Sequence, residues 1–555
     1  MKNNVPIGIE DFKIAQDYYY VDKTLMIKDL IENYNGKSVL ITRPRRFGKS
    51  LNLSMLEYFF GQNYESSELF SDKKIAEYED IMKEYLNKYP VIRLNFKNIN
   101  ANTYKSLCNQ IIEIISLLYR SFYEIFKSDS LFEIEKDDFL AVINKKYDDP
   151  FSYSSAILNL SNYISRISGK KVIILIDEYD MPIQTAYDCG FYDEAIDFFK
   201  SIYSSTLKGN SSMFFSIVTG VLEIGKESLF SGLNNLTTLS MFDSKMIEYF
   251  GFTNDETKTL LHDYSLDNEF EKVKNWYGGY GKDCNIINPW SVLNFVDKRE
   301  FSYYWVNTGT NSIINKLIEN NRIYGIDKEI LADFLNNTSK QIDFNPKISY
   351  RDITNNMDSL LSFLIQTGYL NARKEQKGYS VYIPNHEIEY VFKKEIIGIN
   401  VHNDSLTIAE SLKKAIVNSS VENIKEILEK YILTSFSYFD MNKEKDYQIL
   451  VTGILATLFD EYSVRSEVNT QKGRCDIMVS PKNGNQTGIV IELKNYQSRL
   501  SGKRLKGNAD KAIEQIKEKE YYKELTSKGI KRIILYGFIF DSERMDISCE
   551  EILNQ

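Results

Sequence analysis

Three short stretches of this 555-residue chain hold residue types that do chemistry in combination. The first, LITRPRRFGKSLNLSML, runs from Leu40 to Leu56. Its Gly48-Lys49-Ser50 has the form of the end of a phosphate-binding loop. In such a loop, backbone N–H groups at a helix N-terminus cradle phosphates, a Lys neutralises the β/γ charge, and the next hydroxyl holds Mg²⁺. The candidate nucleotide contacts are therefore Arg45, Arg46, Phe47, Gly48, Lys49, Ser50 and Leu51, with Ser50 also a candidate metal ligand. Arg45 and Arg46 fit either phosphate contacts or a solvated basic turn. The usual first glycine, five positions before Gly48, is replaced by Arg43. Pro44 biases Arg43 towards an extended backbone, so the Arg43 side chain is expected to point away from the phosphates or towards a partner.

The second stretch, KVIILIDEYD from Lys171 to Asp180, is an apolar run ending in acids, as in a Walker B strand. Asp177 is placed to hold Mg²⁺ through water and Glu178 to orient and polarise the attacking water. The next long apolar run ends in Thr219-Gly220, where Thr219 is a candidate sensor of the γ-phosphate. No arginine finger is identifiable.

The third stretch is GRCDIMVSPKNGNQTGIVIELKN, Gly473–Asn495. Asp476 lies in one short strand and Glu492 and Lys494 in the next, with an Asn-Gly turn signal between them. Alternation puts Glu492 and Lys494 on one face and Ile491 and Leu493 on the other, and hairpin pairing brings Asp476 alongside Glu492. Two carboxylates at a sheet edge make a hard oxygen site for Mg²⁺ or Mn²⁺, and Lys494 beside them could activate water for attack on a phosphodiester. Glu467 could add a metal ligand or hold an outer-shell water, and Gln515 could orient the lysine or contact substrate. The plain alternative is an exposed strand with a weak ion pair. The apolar context of GIVIE and RCDIMV argues against that, because unpaired charge at the ends of buried strands costs several kcal/mol. Beside the site, residues 494–507 carry Lys494, Arg499, Lys503, Arg504 and Lys506 and no acid. This is either a loop that tracks a phosphate backbone or a flexible solvated one.

The elements that must position these residues are legible as patterns. Strands are expected at Lys37–Thr42, Val91–Asn95, Val172–Ile176 and Phe214–Val218, with helices at Leu51–Phe60 and Tyr104–Ile125. This is the alternation of an α/β domain with a parallel sheet. Residues 254–345 read as mainly helical. Around 350–395 a helix followed by a hairpin suggests a winged-helix-like module, which could bind DNA but more often serves only as a packing unit. Beyond 405, amphipathic helices lead to a helix at Tyr447–Phe459. Strands follow at 463–468, 474–479 and 487–493, then a helix near 508–525 and a strand at 531–540. Three domains are expected: 1–253, 254–400 and 401–555.

The net charge of −9 excludes global attraction to nucleic acid, so any such binding needs a local basic surface. Five scattered cysteines without a CxxC pair indicate a reducing compartment rather than disulfides or structural zinc. No signal-peptide core or long apolar run is present in the sequence, so a cytoplasmic protein without membrane partners is expected.

With these residues in hand, the chain resembles a bacterial family that fuses an AAA-ATPase-like domain to a C-terminal PD-(D/E)XK nuclease-like domain. The resemblance rests on IGIEDF…YYYVDKT (Ile7–Thr24), the Leu40–Leu56 stretch, VIILIDEYD and TGVLEIGKESLFSGLNNL (Thr219–Leu236). WYGGY (Trp276–Tyr280), NPWSVLNF (Asn288–Phe295), YWVNTGTN (Tyr304–Asn311), QTGYL (Gln366–Leu370), IPNHEI (Ile383–Ile388), GRCDI and IELKN complete it. It implies an AAA-like P-loop ATPase over 1–253, a helical and winged-helix-like middle and a nuclease-like domain over 401–555. ATP and Mg²⁺ (or Mn²⁺ in the nuclease site) are the expected cofactors and nucleic acid the expected partner, DNA ahead of RNA with the choice left open; homo-oligomerisation also stays open. RPRRFGK is the common loop form in that family, and Asp22 and Lys23 are implied to lie near the nucleotide. Two departures stand out: Glu223, where members often carry Arg, and Tyr447-Gln448, where they often carry Tyr-His. The expected function is an ATP-regulated nuclease in defence or mobile-element biology. The alternatives are a nucleotide-dependent switch or scaffold that binds without cutting, and a plain ATPase motor.

Overall fold

The structure is a computed structural model. It describes residues 4–224, 230, 235–306, 340–348, 350–354, 356–376, 378–396, 412, 414–435, 451, 455, 462–470, 472–481, 487–496, 502–540 and 544–553. The chain divides into two compact units, one of residues 1–309 with 341–387 and the other of 310–340 with 388–555.

The first unit is built on a parallel five-stranded sheet of β1 (Ser38–Thr42), β2 (Val91–Asn95), β3 (Val172–Asp177), β4 (Met213–Gly220) and β5 (Leu236–Leu239), in the order β2-β3-β4-β1-β5. Every residue of β1, β3 and β4 is buried. That is why these strands are written as continuous apolar runs rather than alternating ones. β5, a short half-buried LTTL at the sheet edge, lacks that signature and was not expected. The helix Lys49–Phe60 follows β1 and packs Leu53, Leu56, Phe59 and Phe60 into one core with Ile41, Ile173 and Ile217. The expected helix Tyr104–Ile125 ends at Ser121, and a separate turn of helix covers Tyr123–Phe126.

Strand order places the chemistry. β4 lies between β1 and β3, with Ile41 opposite Thr219 and Ile176 opposite Val218. The tip of β4 therefore stands between the phosphate-loop strand and the acidic end of β3.

The rest of this unit is helical with small sheets. A two-stranded pair of β6 (Phe252–Thr253) and β7 (Ile286–Ile287) precedes the helix Pro289–Lys298, which Asn288 caps by accepting the Trp290 N–H at 3.0 Å. A second small sheet has the order β8-β10-β9, from Lys340–Ile342, Tyr379–Tyr382 and Asn371–Lys374. Before its hairpin runs the helix Met357–Thr367, which stops at Gly368 in a left-handed conformation, φ 89°. A helix followed by a hairpin is the order read from the sequence.

The second unit carries a mixed sheet in the order β11-β12-β13-β14-β15. Its strands are Tyr462–Thr470, Gly473–Pro481, Gly488–Asn495, Arg532–Phe540 and Met545–Leu553. β13 and β14 run parallel, and the other neighbours are antiparallel. The helix Gly502–Glu518 makes the crossover between β13 and β14 and lies close on the sheet. A Cβ on Gly537 would meet the Ala509 carbonyl at 2.3 Å. β15, half exposed, was not read from the sequence. The helix begins at Gly502, not 508, so Arg504 and Lys506 ride exposed on a helix rather than in a loop. The side chains of Arg499 and Lys503, most of the expected Tyr447–Phe459 helix, and Tyr447-Gln448 lie outside the described residues.

Candidate nucleotide and nuclease sites

The phosphate loop leaves β1 at Thr42 and enters its helix at Gly48, which has φ 85° and open space within 4 Å of a built Cβ. Both observations fit a backbone that must come close to a ligand. Arg43 does not enter that space. Its side chain is wholly buried and donates to the carbonyls of Thr42 and Leu239 at 2.8 Å each and of Met246 at 3.4 Å. Its guanidinium lies 5.3 Å from the centre of the Phe250 ring. Burial pulls its pKa down to about 10, which still leaves it charged at neutral pH. Arg43 therefore anchors the loop to the end of β5 instead of crowding the phosphates.

The other loop side chains are also engaged by the protein. Arg45 donates to Gln184 Oε1 at 3.1 Å. Arg46, at a left-handed φ of 67°, stacks 4.4 Å from the centre of the Trp290 ring and lies 3.7 Å from Glu10. Phe47 is wholly buried against Tyr280, with ring centres 5.1 Å apart, so only its backbone can face a nucleotide. Lys49 Nζ donates to the carbonyls of Arg43 and Pro44 at 3.1 and 3.2 Å and lies 3.6 Å from Glu178. Ser50 and Leu51 sit in the first helical turn, where N–H groups lack intrahelical partners.

Across the sheet, Asp177 is wholly buried at the end of β3. One carboxylate oxygen accepts the Thr219 hydroxyl at 2.7 Å, while the other is buried with no hydrogen-bond partner. An orphaned carboxylate oxygen fits a cation, so the residues present suit Mg²⁺. Thus the structure ties Thr219 to Asp177 directly. Glu178 follows with φ 53°, a strained value for a side chain of its size and a feature common at functional sites.

Two residues at this tip carry weight that the sequence reading did not give them. Asp180, buried, accepts the N–H groups of both Val221 and Leu222 at 2.9 Å. Burial, reinforced by the neighbouring Glu178 charge, pushes its pKa up to about 6. Tyr179 donates to the Leu222 carbonyl at 2.6 Å and accepts from Ile224 N–H at 3.0 Å. Gly220 is required beside them, because a Cβ there would meet the Tyr179 ring at 2.5 Å and Asp180 Oδ1 at 2.6 Å. The signal was present in the DEYD spelling, but only the fold shows what Tyr179 and Asp180 hold.

Asp22 and Lys23 have structural partners. Lys23 is paired with Glu256 at 2.6 Å and donates to the Glu248 carbonyl at 2.5 Å. Asp22 accepts from Thr24 and from the Lys74 N–H. Glu223 is buried, its backbone N–H donates to Gln366 at 3.1 Å, and burial raises its pKa.

In the second unit, Ile477 pairs with Ile491, so Asp476 and Glu492 come next along facing strands. Asp476 accepts the Leu493 N–H at 2.7 Å. Glu492 is buried and accepts from Lys494 Nζ at 2.8 Å and from Gln515 Nε2. Ile491 and Leu493 enter the core on the opposite face, as alternation requires. Ser466 and Val468 pair with Ile477 and Cys475, which puts Glu467 at the register position of Asp476; its side chain lies outside the described ones. Among the described residues no group of three or more His, Cys, Asp or Glu side chains forms a metal cage. Among the described side chains the donors are the carboxylates of Asp476 and Glu492, whose hard oxygens suit Mg²⁺ or Mn²⁺.

Residues 6–230 match the model of a family described as predicted AAA-ATPase, and residues 442–550 match that of the PD-(D/E)XK nuclease superfamily. The chain is a fusion of an AAA-ATPase-like region and a PD-(D/E)XK nuclease-like region. The first match contains Arg43–Leu51, Asp177, Glu178 and Thr219; the second contains Glu467, Asp476, Glu492, Lys494 and Gln515. The fusion is also similar to a protein of Azotobacter chroococcum mcd 1 described as an uncharacterized protein in the vnfD 5' region. The two are 26% identical over 400 residues, covering 70% of this chain and 69% of the relative. Among the described residues of the fusion, no helix is long and apolar enough to cross a membrane.

Proposed function

We propose that the AAA-ATPase-like region binds and hydrolyses ATP with Mg²⁺, and that the PD-(D/E)XK region is a metal-dependent phosphodiesterase that cuts DNA under control of the nucleotide state. The backbone of Arg45–Leu51 receives the phosphates, and Lys49 turns from its loop carbonyls to the β/γ charge. Ser50 and Asp177 hold the metal ion, and Thr219 reports the γ-phosphate through its bond to Asp177. Glu178 orients the attacking water.

In the nuclease-like region Asp476 and Glu492, with Glu467 as a further candidate, hold Mg²⁺ or Mn²⁺. The ion, when bound, stabilises charge on the scissile phosphate and lowers the pKa of a bound water. Lys494, held against Glu492, orients that water, and Gln515 fixes the Glu492 carboxylate. The basic residues that follow, with Arg504 and Lys506 exposed on the helix, supply phosphate contacts that a chain of charge −9 otherwise lacks. A place in defence against mobile DNA, or in the biology of such elements, fits this chemistry.

The observation that carries this reading is the Asp476–Glu492–Lys494–Gln515 arrangement on adjacent strands and the crossover helix. The test is incubation of the pure protein with single- and double-stranded DNA and RNA, with Mg²⁺ or Mn²⁺, with and without ATP. DNA cleavage is expected, and it should vanish in E492A and K494A. Cleavage that survives both substitutions rules the assignment out. Glu223 favours a second reading, a nucleotide-dependent switch that binds nucleic acid without cutting. A buried acid stands at Glu223, where the family that the chain resembles often carries an Arg. Nucleotide binding without turnover, and DNA binding without cleavage, would select it.

A further inference from the structure

The phosphate loop is gripped by residues far away in the chain. The Trp305 indole N–H donates to the Arg45 carbonyl at 2.9 Å, across 260 residues of sequence. Trp305 is buried, and its own backbone N–H donates to Glu387 Oε1 at 2.5 Å. The other oxygen of Glu387 accepts the Ser291 hydroxyl at 2.7 Å, and the carboxyl group is buried. Ser291 lies on the helix Pro289–Lys298, whose Trp290 covers the Arg46 guanidinium. Gly368 packs on Pro44, where a Cβ would come within 2.9 Å, and Tyr369 lies 5.1 Å from the Trp305 ring.

These contacts matter because of what a peptide unit is. The C=O of Arg45 and the N–H of Arg46 belong to one planar trans unit and point in opposite directions. A donor that fixes the carbonyl on one side fixes the N–H on the other. The carbonyls of Arg43 and Pro44 are held by Lys49, and that hold is lost when Lys49 turns to a phosphate. A carbonyl oxygen does not itself bind phosphate, so nucleotide binding at the loop need not break the Trp305 bond. A loop with Arg43 in place of its first glycine and Arg46 at positive φ needs such outside support.

We infer that Trp305, held in place by Glu387, is a positioning residue of the nucleotide loop, setting the orientation of the Arg45–Arg46 peptide for phosphate binding. The inference rests on the reading of this loop as an ATP site. No sequence motif announces it, since Trp305 and Glu387 stand in YWVNTGTN and IPNHEI, far from any phosphate-loop signature.

The test is titration of the full-length protein with a fluorescent ATP analogue and Mg²⁺, using wild type, K49A, W305F, E387A, E387Q and the W305F/E387A double variant. Circular dichroism serves as the folding control. W305F keeps an aromatic ring on Tyr369 but loses the indole N–H donor together with the pyrrole part of the buried ring, so the comparison with E387A and E387Q is needed to isolate the hydrogen bond. It should bind about 5–10-fold more weakly, as expected for one lost hydrogen bond to a buried carbonyl. E387A should fall similarly, E387Q should restore most of the affinity, and the double variant should bind no worse than W305F alone. Non-additivity of that kind separates action through Trp305 from general loosening. Wild-type affinity in W305F, or full additivity of the two changes, overturns the inference while leaving the ATP site intact. Absence of binding by wild type overturns the ATP reading, and the inference falls with it. Should W305F misfold, S291A, which removes one hydrogen bond from Glu387, should weaken binding about 2–3-fold, and unchanged affinity there refutes the proposal.

Discussion

The two sites solve the problem of holding charge in opposite ways. In the nucleotide loop the arginines are held mostly by groups distant in sequence, nearly all of them uncharged. Arg43 is held by carbonyls of Thr42, Leu239 and Met246, Arg45 by Gln184, and Arg46 by Trp290 and Glu10. In the nuclease-like site the partners are neighbours on two adjacent strands and the helix that follows them: Lys494 on Glu492, Gln515 on Glu492, Asp476 on the Leu493 N–H. The first site is over-determined by the surrounding fold, and the second is a local ladder that the pleat itself produces. Substitutions should therefore act differently. In the ladder, a change should remove chemistry and leave the fold standing. In the loop, it should touch both.

The sharpest separation comes from E492A and K494A. On the proposed function each removes a group that acts at the reacting atoms, and cleavage of DNA with Mn²⁺ should fall by at least about 10³-fold. Nucleotide binding should be unchanged, because that site is built wholly from the other unit. A comparable loss of nucleotide binding in these variants would break the comparison. K49A is the matching change in the loop. Loss of one charged donor to phosphate should weaken ATP binding roughly 100-fold, about 2.7 kcal/mol. The nuclease-like fold, followed by its own unfolding transition, should not move.

R43A tests the over-determination itself. Its removal leaves buried carbonyls of Thr42, Leu239 and Met246 without their donor, and should destabilise the ATPase-like unit by on the order of 3 kcal/mol. Calorimetry should show the transition of that unit shifting down while the other stays fixed. A variant that binds ATP normally with an unshifted transition would mean that Arg43 is merely accommodated.

Contiguous chemistry was legible in the sequence and assembled chemistry was not. Continuous apolar runs announced β1, β3 and β4, because strands covered on both faces must be apolar throughout. Alternation and the Asn-Gly turn announced the neighbours Asp476 and Glu492. β5 and β15 escaped, because a half-buried edge strand has little composition of its own. Arg43 illustrates the boundary. Pro44 showed that its side chain could turn away, but its hydrogen-bond acceptors at Leu239 and Met246 lie nearly 200 residues on and could be found only in the fold. Trp305 and Glu387 are a stronger case, since nothing about an isolated Trp or Glu marks it as belonging to a loop 260 residues earlier.

The smallest expected effect is a pH dependence. Burial pushes the Glu387 pKa from its ordinary carboxylate value of 4.5 up to about 7, despite the Ser291 hydroxyl and backbone N–H groups that favour the charged form. Between those two values the folded protein holds a proton that the unfolded chain has released. The linkage sign is therefore negative: stability of the ATPase-like unit falls as pH rises from about 4.5 to about 7, and is flat above. Asp180, raised from 3.8 to about 6, adds a slope of the same sign at the acid end of that window. E387Q removes one titrating group while preserving its shape. The wild-type unit should therefore lose stability relative to E387Q across this range, by on the order of 3 kcal/mol, and both should run parallel above pH 7. The nuclease-like transition should be indifferent to E387Q throughout. Parallel curves for wild type and E387Q from pH 5 to 7 would mean that Glu387 is already ionised in the folded unit, and that Ser291 and the Trp305 N–H outweigh its burial.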